Sequence, residues 1–120
     1  MDKEAMESSE DRLKAIVKKW RIEYDKTIPE KLKILENLVS RLRVSIDEDT
    51  LKSLRLEIHK MAGSAGTVGY MPVSDICKKF DQELFSKIQS YKESPPDATW
   101  VPSFESYLKL IREGFSSNFS

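Results

Sequence analysis

The stretch from Leu51 to Gly69, LKSLRLEIHKMAGSAGTVG, constrains the fold more than any other part of the chain. Its apolar residues Leu51, Leu54, Ile58, Met61, Ala65 and Val68 recur at steps of three and four, the stripe of an amphipathic helix with one buried face. The same stretch holds the only histidine, His59, and three of the four glycines. At about 100° per residue, His59 stands one step around from the buried face. Gly63 and Gly66 follow it on its own stripe, at plus four and plus seven. The imidazole therefore borders the core with almost no side-chain bulk beyond it.

A glycine inside a helix costs about 1 kcal/mol relative to alanine, so this pair needs a reason. Either a partner's surface must come close to His59, or a neighbouring helix packs closely on the glycines. The spacing leaves both open. Gly69 falls where a C′ glycine closes a helix.

Composition removes several classes of function. A chain of 120 residues makes one domain with its own core. Twenty basic residues balance twenty acidic ones, which leaves no global field to draw nucleic acid or an anionic membrane. The chain has no apolar run of membrane-spanning length, and its first residues, MDKEAMESSE, are polar and unlike a signal peptide. Cys77 is the only cysteine, which rules out an internal disulfide and suits a reducing, cytoplasmic setting. One histidine and one cysteine cannot build a zinc site, and no glycine-rich phosphate loop is present, so no metal or cofactor is expected.

In chain order, residues 1–7 read as a disordered start and residues 8–116 as the folded domain. A helix beginning near Ser8 or Ser9 carries Leu13, Ile16, Val17, Trp20 and Tyr24 on one face. Thr27-Ile28-Pro29-Glu30 reads as its end and as the capped start of a second helix, with Leu32, Leu35, Leu38, Val39 and Leu42 inward. Ser45-Ile46-Asp47-Glu48 has the capping-box pattern and opens the histidine helix. After Gly69, Pro72 suits the first turn of a helix bearing Val73, Ile76, Cys77, Phe80, Leu84, Ile88 and Tyr91. The short loop makes that helix antiparallel to the histidine helix. A last helix from about Val101-Pro102 buries Phe104, Tyr107, Leu108 and Ile111; Phe115 reads either as a further residue of that buried face or, with Trp100 and the rest of the Phe115–Phe119 tail, as exposed apolar surface. The expected fold is all-α: an antiparallel four-helix bundle with an additional N-terminal helix, monomeric in solution.

His59-Lys60-Met61-Ala62-Gly63-Ser64-Ala65, with Gly69 ten residues after the histidine, resembles the signature of histidine-containing phosphotransfer domains, H-x-L-K-G-S-S/A. Met61 stands for the family leucine, and Ala62 departs from the family lysine. The resemblance implies a phosphocarrier and not an enzyme. His59 would accept a phosphoryl group from a receiver-domain aspartate, on the ring nitrogen remote from the backbone, and pass it to another receiver. Magnesium and the acidic pocket would belong to the receiver.

Arg55, one turn before His59, is placed to stand in for the missing lysine, and Arg55 and Ser64 would contact the phosphoryl oxygens. Ser64 has a second reading, as a hydroxyl bonded back to a helical carbonyl. Asp81 reads either as the acceptor that orients the imidazole or as a solvated carboxylate. Leu56 and Met71 lie near enough to serve in docking. Two other functions stay open. One is a helical interaction module with a structural or degenerate histidine, which Ala62 favours. The other is the phosphoacceptor domain of a larger histidine kinase or response regulator.

Overall fold

A computed structural model describes the backbone of residues 2–117 and the side chains of residues 9–116. Four helices follow in order: α1 Asp2–Val44, α2 Glu48–Thr67, α3 Met71–Tyr91 and α4 Trp100–Ser117. No strand occurs among the described residues. Each helix packs on its neighbour in sequence, and α4 closes the ring against α1, an antiparallel up-and-down bundle. The disordered start expected for residues 1–7 falls outside the residues whose side chains are described.

The additional N-terminal helix is not a separate element. Thr27-Ile28-Pro29-Glu30 does not break the chain, and α1 runs through Pro29 without interruption. Proline inside a helix costs about 3 kcal/mol through a lost hydrogen bond and a clash with the preceding turn. Packing offsets that cost. Tyr24 and Ile28 before the proline, and Leu35, Val39 and Leu42 after it, form one buried stripe of unbroken helical spacing. A break would turn half of those residues away from the core. The Thr27 hydroxyl, expected to cap a new helix, instead donates to the carbonyl of Tyr24 at 2.6 Å.

The start of α2 is capped by Asp47 rather than by Ser45. Its carboxylate accepts the Thr50 N–H at 2.6 Å and the Thr50 hydroxyl at 2.8 Å. Bonded this way, and first of all by the hydroxyl, the Asp47 carboxyl is held below the usual carboxylate range. The end of α2 follows the glycine expectation. Gly69 takes φ +97°, the Tyr70 N–H bonds the Ala65 carbonyl, and the Gly69 N–H bonds that of Gly66. These two bonds make a Schellman turn. Tyr70 is then locked in place, its hydroxyl donating to Asp25 at 2.5 Å and its ring lying under the Arg21 guanidinium.

The core of the bundle is apolar and aromatic, with Phe80 and Phe104 fully buried and Phe80 stacked on Tyr107 at 4.6 Å. Two sequence expectations about exposure are reversed. Trp100, expected to be exposed, is buried, and Phe115 takes the buried of its two expected places, since α4 begins at Trp100 and turns both inward; Phe119 lies outside the described residues. Conversely Leu13, Ile16, Val17 and Trp20 are exposed, because the first part of α1 extends past the other helices.

Candidate functional site

On α2, Lys52, Arg55, Leu56 and His59 follow one another at helical spacing and form a stripe beside α3. On α3, Asp81, Phe85 and Ile88 form the facing stripe. Together they bound an open groove of about 520 Å³, lined by Lys52, Arg55, Leu56, His59, Phe85 and Ile88. The His59 side chain is 71% exposed at its rim.

The imidazole is nonetheless oriented. Its Nδ1 lies 3.2 Å from Oδ2 of Asp81, whose side chain is only 18% exposed. A carboxylate only accepts, so this contact places the proton on Nδ1 and leaves the Nε2 lone pair facing outward. The other oxygen of Asp81 takes the Arg55 Nε–H at 3.1 Å. The guanidinium also lies over the Phe85 ring, 4.8 Å from its centroid. Arg55, Asp81 and His59 are thus one connected unit, and Asp81 is its centre rather than a solvated carboxylate.

The glycines separate into two kinds. A Cβ built on Gly63 would meet nothing within 4 Å, so no neighbouring helix explains it. A Cβ on Gly66 would lie 3.0 Å from Ser74 Oγ. That hydroxyl is buried and donates to the Ala62 carbonyl at 2.7 Å, so Gly66 is where α3 approaches the α2 backbone. Ala62 belongs to the same contact and is buried.

Ser64 points away from His59, toward α1. Its hydroxyl lies 3.1 Å from the Tyr24 hydroxyl and 3.5 Å from the Met61 carbonyl, a helical back-bond. Lys60 pairs with Glu57 on the exposed side of α2. Of the residues singled out in sequence, the structure brings Arg55 to His59, leaves Gly63 open beside them, and sets Ser64 and Gly66 against neighbouring helices. Leu56 lines the groove, whereas Met71 is exposed outside it. Sequence reasoning missed Phe85 altogether. Its signal was available: an aromatic residue off the apolar stripe of α3, one turn after Asp81.

The Hpt domain family model matches residues 6–114. The chain belongs to the Hpt domain family. Hpt domains are phosphocarriers that act in histidine phosphotransfer within two-component signalling, where they interact with receiver domains. Neither a curated protein nor a solved structure matches the chain. Among the described residues of this Hpt domain, no helix is long and apolar enough to cross a membrane.

Proposed function

We propose that His59 accepts a phosphoryl group from the aspartyl phosphate of one receiver domain and passes it to the aspartate of another. The observation that carries this reading is an exposed imidazole whose Nδ1–H is held by Asp81, with Nε2 free beside the open ground at Gly63. Nε2 attacks phosphorus in line, the N–P bond forms, and the bond from phosphorus to the aspartate oxygen breaks. The aspartate leaves as a carboxylate. No proton needs to move, because Nδ1 keeps its own, and the positive charge gained by the phosphorylated ring faces Asp81. The second transfer is the same step in reverse. Such chemistry depends on positioning and on charge neutralisation more than on covalent machinery.

Arg55 supplies charge in place of the lysine absent at Ala62, being within one helical turn of His59. Leu56 and Phe85, both exposed at the groove, give the receiver an apolar footing next to the histidine. Magnesium belongs to the receiver, and the relay operates in the cytoplasm, where a lone buried Cys77 stays reduced.

Incubation with a phosphorylated receiver tests the reading. Label should move to this chain, survive alkali and be lost in acid, as phosphohistidine is. The variant His59→Gln should accept none while keeping its stability within about 1 kcal/mol, since an exposed side chain adds little packing. Undiminished labelling of His59→Gln would end the proposal, and unfolding of the variant would make His59 structural.

A further inference from the structure

Four residues of α3, Ser74, Lys78, Asp81 and Phe85, recur at steps of four, three and four and so share one stripe. Three of them reach α2. The Ser74 hydroxyl donates to the Ala62 carbonyl at 2.7 Å, Asp81 takes His59 and Arg55, and the Phe85 ring lies under the Arg55 guanidinium. These contacts fix the register of the two antiparallel helices. Lys78, midway between Ser74 and Asp81, is level with the turn of α2 from Ile58 to Ala62, which carries His59.

The two helices are close at this point. A Cβ on Gly66 would lie 3.0 Å from Ser74 Oγ, and Ala62 is buried in the same contact. Axes of packed helices lie about 8–10 Å apart, depending on the side chains between them, and small ones put this pair at the short end. The four-carbon stem of a lysine spans most of that gap. Lys78 is exposed, and a Cβ on Gly63 would meet nothing within 4 Å, so its ammonium has open ground toward the outward side of His59.

The cations around His59 differ in what already holds them. Arg55 Nε is bound to Asp81 at 3.1 Å, Lys52 pairs with Glu48 at 3.3 Å, and Lys60 with Glu57 at 3.7 Å. Among the described residues Lys78 makes no ion pair or hydrogen bond, and both oxygens of Asp81, one turn away, are already taken. A phosphoryl group would bring about −1.5 to −2 charge to a ring already held by a carboxylate.

We propose that Lys78 is a second phosphoryl-binding cation of the site, its ammonium reaching across from α3 to pair with the oxygens of the group on His59 Nε2. This role rests on His59 carrying that group. It assigns the charge to α3, opposite a turn of α2 that packing keeps small at Ala62.

Lys78→Ala tests the role, with Lys78→Arg as the conservative control. Each chain is phosphorylated from a phosphorylated receiver and from phosphoramidate, a small donor that loses ammonia and needs no docking surface. Lys78→Ala should accept phosphate about 5- to 20-fold more slowly from both donors. Its melting should not change, because an exposed stem adds little packing. Lys78→Arg should keep most of the parent rate. On the phosphorylated chain alone, ³¹P titration should place the phosphoryl midpoint about 0.3–1 pH unit higher in Lys78→Ala, since a nearby cation favours the dianion. An unchanged rate with phosphoramidate, or a midpoint that does not move, would overturn the proposal and leave the carrier role of a phosphorylated parent standing. A parent chain that takes phosphate from neither donor would end the carrier role itself, and that of Lys78 with it.

Discussion

Oδ1 and Oδ2 of Asp81 bind different residues of α2: Oδ1 takes Arg55 at 3.1 Å and Oδ2 takes His59 at 3.2 Å. One side chain on α3 therefore sets both the ring orientation of the histidine and the position of the nearest cation. The two α2 residues are four apart, so a single helical turn presents them together to the carboxylate.

Asp81→Ala should release the imidazole to sample both tautomers, seen as a change in the ¹⁵N shifts of His59. A hydrogen bond to a charged group is worth about 1.5–3 kcal/mol, so phosphoryl acceptance should fall by about 10- to 100-fold. A variant with altered ¹⁵N shifts and an unchanged rate would separate ring orientation from transfer.

Arg55→Ala tests the cation. A group that meets the phosphoryl oxygens in transfer should change rate more than folding, so transfer should slow about 10-fold with little change in melting. An unchanged rate would assign the neutralising charge to Lys78 and the receiver. Ala62→Lys is a less simple complement than the sequence suggests, because Ala62 is buried at the α3 contact and the lysine stem would have to run outward past it.

Gly63 and Gly66 should respond oppositely to leucine. At Gly63 the side chain enters open space, so Gly63→Leu should match or exceed the parent in stability, by up to about 1 kcal/mol, while blocking a receiver and slowing acceptance. At Gly66 it meets Ser74, whose hydroxyl is committed to the Ala62 carbonyl, and overpacking should cost about 1–3 kcal/mol. A thermal melt and a transfer assay on the two variants check this. A destabilised Gly63→Leu with normal transfer would reverse the assignment.

The cap of α2 has a pH signature. The Asp47 carboxyl titrates below its unfolded value because Thr50 bonds the ionised form. Its contribution is therefore complete above the unfolded pKa of about 4 and is lost as pH falls through the lower folded value. Asp47→Ala should melt lower than the parent at neutral pH, and the gap should close below about pH 4. A gap that persists in acid would mean that the cap does not act through its charge.

The Hpt signature shows how far local pattern reaches. Helical periodicity, the C′ glycine at Gly69 and the motif around His59 were legible because each depends on residues within a turn or two of one another. Pro29 misled for the complementary reason. Its local effect is to end a helix, but the stripe from Tyr24 to Leu42 buries against α2 and α4, and that tertiary gain outweighs the local cost. The same holds at Asp47, where the side chain in reach of the Thr50 N–H decided the cap over the pattern beginning at Ser45.

By itself, the sequence determined that the chain is helical, that one helix carries His59 at the edge of its buried face, and that Gly63 and Gly66 follow it on the same stripe. Spacing along a helix contains all of that. Only the tertiary structure decided that Asp81 meets His59 and Arg55, that Gly66 serves packing while Gly63 stays open, and that Leu13, Ile16 and Val17 stay exposed. These depend on where α3 lies against α2 and on where the bundle stops along α1. Both are set by the summed packing of side chains distant in sequence, and no local spacing encodes them.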